Sequence, residues 1–401
     1  MKLIDRPLYT NRIIPFIDKP VIKVLTGQRR VGKSYVMLQL MNYIRDNVQE
    51  ANIVYINMEM ENFVHIKSNI ELNAYLEDKW IHEKPNYFFI DEVQEVTSFE
   101  RTLRSLLAKR TCDIYCTGSN ANMLSGELAT HLSGRYVAFH IHSLNYQEFL
   151  LFHSLENSTE NLLKYLKYGG MPFLANIGLQ DNVPFEYLRN VYSTILLKDV
   201  VARENIRNVS FLENLVAYLS DNIGALFSAS NISKYLKSQR VDISPQLTIN
   251  YLKALANAYF VHKVVRSEIG GLKIFEIGEK YYFEDLGLRN AIIGFNQRAD
   301  LHKLLENIVY LHLIHQGFTV YVGKLGNREV DFMGERNGVK IYVQVCLTLM
   351  HEDTIVREFG NLREIDDNYP KYVITFNDPI PGDNYGGILQ KNLIDFLMME
   401  L

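Results

Sequence analysis

Gly27-Gln28-Arg29-Arg30-Val31-Gly32-Lys33-Ser34 is a complete G-x-x-x-x-G-K-[ST] phosphate loop. The apolar run Val21-Ile22-Lys23-Val24-Leu25-Thr26 leads into it, and Tyr35-Val36-Met37-Leu38-Gln39-Leu40 leaves it with helical character. This strand–loop–helix order is the setting in which the motif binds phosphate. The two glycines allow successive backbone N–H groups to turn inward around phosphate oxygens, and the helix start adds partial positive charge. The reading assigns residues 27–34 together with Tyr35 to a nucleoside triphosphate. Lys33 meets the β- and γ-phosphates, and the Ser34 hydroxyl meets magnesium.

Outward from the loop, Asn86-Tyr87-Phe88-Phe89-Ile90-Asp91-Glu92 is an apolar strand ending in two carboxylates. Asp91 suits the magnesium shell. Glu92 suits the general base that takes a proton from the attacking water. Alone, the pair reads equally as a helix cap or a turn; the phosphate loop upstream is what gives it chemistry. A later strand ends in Thr117-Gly118-Ser119-Asn120, where Ser119 or Asn120 can sense the γ-phosphate through that water, or where Gly-Ser-Asn makes an ordinary turn. Arg135 follows, either as an arginine finger toward a neighbouring subunit's nucleotide or as a surface arginine.

Five apolar strands are expected at 21–26, 53–57, 87–91, 113–117 and 136–141, with amphipathic helices between most of them. Apolar strands alternating with helices imply a parallel sheet covered on both faces, with ligand at the carboxyl ends of the strands. At 401 residues the chain exceeds one ordinary core, so several domains are expected. Its composition, 47% hydrophobic and 22% charged, is globular. A net charge of −4 supplies no global pull toward nucleic acid, so contact with DNA needs a local patch. Cys112, Cys116 and Cys346 are too scattered for a disulfide framework or zinc site. The start of the chain lacks an apolar signal core and no apolar stretch is long enough for a bilayer, which points to a soluble, cytoplasmic protein with no membrane partner.

The strings GQRRVGKS (27–34), FFIDEVQ (88–94), CTGSNANMLSGELATHLSGR (116–135) and SLNYQEFL (143–150) resemble a prokaryotic AAA-type ATPase family. The likeness continues through YGGMPFL (168–174), LLKDVVAREN (196–205), YYFEDLGLRNAI (281–292), LENIVYLHL (305–313), REVDF (328–332) and YVQVCLTL (342–349). The resemblance implies an α/β chain in four parts. These are an AAA-type ATP-binding domain (1–143), a helical lid or connector (144–208), a winged helix (209–285) and a domain resembling the PD-(D/E)xK nuclease fold (286–401).

The residues fit that division. Gly169-Gly170-Met171-Pro172 forces a break in a helical segment. Helical patterns at 212–219, 230–236 and 244–255 precede two strands at 261–265 and 273–277 that flank Gly270-Gly271, a hairpin wing. The third helix would present Gln246, Thr248, Asn250 and Lys253 to a major groove, helped by Lys234, Lys237 and Arg240. In the last domain, the order of helix, three strands and helix places Glu306 and Asp331 as two carboxylates of a metal site. Gln344-Val345-Cys346 stands where the (D/E)-x-K pair would be. Gln344 has no charge for a hard cation, and Cys346 cannot replace an ammonium, so this domain is expected to be an inactive remnant, with Glu358, beside Arg357 on the next helix, as the alternative source of a migrated carboxylate. The resulting expectation is an ATPase using ATP and magnesium that acts on double-stranded DNA and can form a homo-oligomer. The alternatives are a signalling or defence switch with protein partners, and an ATP-gated nuclease.

Overall fold

A computed structural model describes residues 3–401 apart from 122, 124–131, 133, 181, 229–231, 235, 236, 238–243, 270, 272, 273, 377 and 379–383, and apart from the side chains of 274–277. The chain divides into two compact units, residues 1–142 with Asn257–Tyr259, and residues 143–256 with 260–401.

The first unit is built on β1 (Ile22–Thr26), β2 (Asn52–Asn57), β3 (Asn86–Asp91), β4 (Cys112–Gly118) and β5 (Tyr136–His140). Each lies within a residue or two of where the apolar runs place it. The pairing order is β2-β3-β4-β1-β5, and every pairing is parallel. Parallel strands need crossovers, supplied here by α2 (Lys33–Asn47), α3 (Asn69–Asp78) and α4 (Phe99–Lys109); a short helix, α1 (Pro7–Ile13), precedes the sheet. Helix α4 buries Phe99, Leu103 and Leu106, spaced four and three apart, against Phe88, Ile90, Ile114 and Cys116 of the sheet. Because β4 lies between β1 and β3, its end separates the phosphate loop from Asp91 and Glu92. Lys23, a charge inside an apolar strand, is accommodated by a buried ion pair to Asp113, whose other oxygen accepts the Tyr115 hydroxyl at 2.7 Å. That pair sits at the amino ends of the strands, away from the phosphate loop.

The second unit begins with α5 (Tyr146–His153), α6 (Thr159–Tyr168), α7 (Val183–Thr194), a π-helical stretch (Ile195–Ala202) and α8 (Val209–Asp221). The expected break after α6 has a specific cause. Gly169 has φ of 73°, and a Cβ there would lie 2.4 Å from Asp285 Oδ1, while the Gly170 N–H donates to Asp285 Oδ2 at 2.7 Å. Asp285 thus holds the loop and, through Oδ1, caps α10 (Leu286–Ile293) by accepting the Leu288 N–H at 2.9 Å. The helix expected at 230–236 lies mostly outside the described residues, as do Arg240 and Gly270. Helix α9 (Pro245–Asn257) forms as expected. One of the four side chains it was to offer DNA is wrongly placed: Thr248 is fully buried, its hydroxyl 3.3 Å from that of Ser233, while Gln246, Ile249, Asn250 and Lys253 are exposed.

The expected wing is not a free-standing hairpin. Its strands β6 (Val261–Glu268) and β7 (Ile274–Phe283) join one eight-stranded mixed sheet, ordered β12-β13-β11-β10-β9-β8-β6-β7. Here β8 is Thr319–Leu325, β9 Arg328–Arg336, β10 Val339–Cys346, β11 Lys371–Thr375, β12 Asn384–Tyr385 and β13 Ile388–Asn392. The link is the parallel pairing of Arg266 to Glu268 with Val322 to Lys324. The expected boundary at 285/286 therefore falls between strands of a single sheet. Strand-by-strand reading paired β6 with its chain neighbour β7 and gave no sign of its second, distant partner. Helices α11 (Gln297–His315) and α12 (Glu352–Arg363) complete the unit, α12 packing Phe359 and Leu362 on Val330, Tyr342 and Val373.

Candidate nucleotide-binding site

The phosphate loop needs backbone conformations that side chains oppose. Gly27 has φ of 142° and Gly32 of 98°; a Cβ on Gly27 would lie 2.1 Å from the Ile141 carbonyl oxygen. The loop is also braced from below by a residue the motif does not contain. The buried Arg6 guanidinium donates to the Val31 carbonyl at 2.8 Å and the His142 carbonyl at 3.1 Å, and lies 4.5 Å over the Tyr9 ring. Tyr9 in turn accepts the His142 N–H at 3.1 Å through its hydroxyl. No sequence signal beyond a charged residue ahead of Pro7 points to this role.

Lys33 is 4% exposed and donates to the carbonyls of Gly27 at 3.0 Å and Gln28 at 3.1 Å. Its ammonium stands 3.9 Å from Glu92 Oε1. Ser34, one residue on, is half-buried at the start of α2; Arg30 and Tyr35 are exposed, and Arg29 pairs with Glu59 at 3.0 Å. The Gln28 amide is completely buried, with neither its oxygen nor its nitrogen hydrogen-bonded.

The acidic pair is fixed by β4 and β2. Thr117 Oγ1 donates to Asp91 Oδ1 at 2.5 Å and accepts the Glu92 N–H at 2.8 Å. Tyr55 donates its hydroxyl to Asp91 Oδ2 at 3.0 Å. Glu92 adopts φ of 55° and ψ of 50°, a left-handed conformation uncommon for a non-glycine residue and typical of strained functional positions. Its Oε2 accepts the Ser119 hydroxyl at 2.9 Å and the Gln94 amide. Burial opposes its ionisation, but the Lys33 ammonium, the Gln94 and Ser119 hydrogen bonds and the Arg29 charge prevail, holding the carboxyl below its ordinary value. At the end of β4 the Ser119 hydroxyl reaches Glu92, and Asn120 is buried beside it. Arg135 is exposed just before β5, its carbonyl accepting the Ile22 N–H at 2.9 Å. Thr117 and Tyr55 were not singled out from sequence, where a threonine in an apolar strand and a tyrosine in a neighbouring one read as packing residues.

In the second unit, the three carboxylate-site positions fall near one another. The Asp331 N–H donates to Gln344 Oε1 at 3.3 Å, and Asp331 Oδ2 accepts the Val345 N–H at 2.8 Å. Glu306 is linked to them through Lys280, a residue the sequence reading passed over, whose Nζ is 2.8 Å from Glu306 and 3.9 Å from Asp331.

Comparison with known proteins agrees with the first unit's architecture. Residues 19–150 match the family model described as an AAA domain, and residues 159–299 match a domain of unknown function, DUF8612. An uncharacterised protein of Haemophilus influenzae is 35% identical over 381 residues, 93% of this chain and 93% of that one. The uncharacterised protein MJ1544 of Methanocaldococcus jannaschii is 30% identical over 379 residues, 89% of this chain and 82% of that one. Among solved structures, the Aeropyrum pernix Orc1 protein in complex with DNA is 11% identical, with 71% of this chain and 89% of that one covered at a TM-score of 0.31, a likeness too slight to carry an argument. Among the described residues no helix is long and apolar enough to cross a membrane. A relative 35% identical over 93% of both chains places the chain in one family with the uncharacterised Haemophilus influenzae and Methanocaldococcus jannaschii proteins, a family whose first unit here is a five-stranded parallel sheet with a phosphate loop matching an AAA domain.

Proposed function

We propose that the chain is a magnesium-dependent ATPase whose base is Glu92. The observation that carries this reading is the constellation around Glu92: ionised at neutral pH, oriented by Ser119 and Gln94, and 3.9 Å from the phosphate-loop lysine. A carboxylate so placed can take the proton of a water attacking a γ-phosphate, and a hydrogen-bonded, buried carboxylate loses little of its orientation between turnovers. Lys33 rests on loop carbonyls at the position where a phosphate would draw it.

The residues also suit magnesium. Each Asp91 oxygen accepts one hydroxyl, which fixes the carboxylate's orientation and leaves lone pairs available. Ser34 and Asp91 would hold the ion, which would neutralise phosphate charge when nucleotide is bound. Residues 27–35, with Ser119 and Asn120, are the assigned nucleotide contacts.

Beyond the ATPase site, the same reading makes the nucleotide state bias a connector and an attached sheet domain that acts on double-stranded DNA. What supports DNA contact is the exposed row Gln246, Asn250 and Lys253 on α9, corrected for the buried Thr248. ATP turnover measured with magnesium, and with and without duplex and single-stranded DNA, tests the proposal. Stimulation by duplex supports the DNA role. Turnover indifferent to DNA favours the protein-partner switch, and no turnover at all rejects the ATPase.

A further inference from the structure

The carboxylates of the second unit form a cluster larger than the sequence indicated. Glu329 and Asp331 are two apart on β9 and so share a face, as do Lys280 and Tyr282 on β7. Strands β8 and β6 lie between β9 and β7 in the sheet, yet Lys280 Nζ is 3.0 Å from Glu329 Oε1. Register shifts interrupt β6 between Val264 and Arg266 and β8 between Tyr321 and Gly323, the kind of irregularity that adds local bend and twist to a sheet. From α11, Glu306 Oε1 accepts the Lys280 ammonium at 2.8 Å and the Tyr282 hydroxyl at 2.5 Å. Lys280 is 4% exposed. A lysine so buried persists only where carboxylates surround it.

A metal-dependent hydrolase of this general layout would need a divalent cation among Glu306, Asp331 and a third ligand. The residues do not fit one. The ammonium already touches Glu306 and Glu329 and faces Asp331. The Gln344 oxygen, an uncharged ligand at best, already accepts the Asp331 N–H at 3.3 Å. Gly224 closes the far side of Glu306 so tightly that a Cβ there would lie 2.5 Å from Oε2.

We propose that Lys280 is the resident cation of this pocket, a built-in replacement for a divalent ion, and that the pocket accepts such an ion only when the lysine is removed. The arrangement of charge agrees: Lys280 and Arg266, which is 3.7 Å from Glu329 Oε2, face Glu306, Glu329 and Asp331, and the buried Glu358 is paired with Arg357 at 2.6 Å. The pocket is thus a neutralising tie among β7, β9 and α11 rather than a reaction centre.

Titration of the full chain with Mn2+ in the absence of nucleotide, by calorimetry and by thermal melting, tests this. The wild type should show no Mn2+ binding that depends on Asp331. Lys280→Met should melt lower than wild type in chelator and be raised again by Mn2+. It should also bind one Mn2+ per chain that wild type does not bind, a gain lost in Lys280→Met/Asp331→Asn. Mn2+ uptake by the wild type that Asp331→Asn abolishes would overturn the proposal, and this comparison stands even if Lys280→Met does not fold. A folded Lys280→Met or Lys280→Gln protein, with unchanged circular dichroism and no gain in binding, would overturn it equally.

Discussion

Thr117 Oγ1 sits between Asp91 Oδ1, to which it donates at 2.5 Å, and the Glu92 N–H, which it accepts at 2.8 Å. One hydroxyl on β4 therefore orients the side chain of one acidic residue and the strained backbone of the next. Thr117→Val keeps the shape and removes both bonds, leaving the buried Glu92 N–H without its acceptor. The expected cost is about 1–3 kcal/mol in stability. Turnover should fall further than ATP affinity, because in the proposed mechanism the displaced groups serve the water and metal rather than the phosphate loop. Melting curves and a kcat against KM comparison check this; a raised KM with kcat unchanged would place Thr117 in binding alone.

Arg6 lies outside every nucleotide motif yet supports Val31 from beneath the loop. Arg6→Ala removes hydrogen bonds from a cation to two buried carbonyls and should destabilise the first unit by about 2–4 kcal/mol. Below the melting transition, ATP affinity should fall with it. Arg6→Lys should restore little, since one ammonium cannot reproduce the two-pronged geometry. Circular dichroism melts and nucleotide titration distinguish this from a surface arginine, whose loss would change neither.

Asp285 gives the second unit a pH dependence. Burial raises its carboxyl to about 7, against the opposing hydrogen bonds from the Leu288 and Gly170 amides. Its folded value exceeds its unfolded one, so its contribution is fully present below the ordinary value of 3.8 and is lost as pH rises through about 7. The urea midpoint of wild type minus that of Asp285→Asn should therefore shrink between pH 5.5 and 8.5. A difference that stays constant across that window would show that Asp285 does not titrate there.

Arg135 is exposed ahead of β5, free to meet a second subunit. If it acts there, Arg135→Ala lowers turnover with ATP affinity nearly intact, and mixing it with Glu92→Gln protein recovers part of the activity. Full activity of a strictly monomeric protein would exclude the role.

The candidate nucleotide site could be assembled from sequence because the chemistry proposed for it depends on local strings. The loop 27–34 and the strand ending at Asp91 and Glu92 each declare themselves within eight residues, and the five apolar runs lie close to the five strands. What was not readable depends on distant partners. Lys280 lies 51 positions before Asp331 in a strand that looked like a wing, and only the pairing of β6 with β8 brings it to the carboxylates. Thr248 follows the same logic. A polar residue on a recognition-like helix reads as exposed until Ser233 is found packed against it. Arg6, ahead of α1, gains its role from Val31 and His142, neither of them near it in sequence.

In the proposed mechanism Glu92 is the base of an ATPase built on Lys33. The most direct test is single-turnover hydrolysis of ATP with magnesium by wild type and Glu92→Gln, with bound nucleotide measured in parallel and Lys33→Ala as the non-binding reference. The amide keeps the shape and the Ser119 contact but cannot take a proton from water, so Glu92→Gln should retain ATP while hydrolysis falls by about 100-fold or more. Hydrolysis by Glu92→Gln at the wild-type rate, with ATP equally bound, would contradict it.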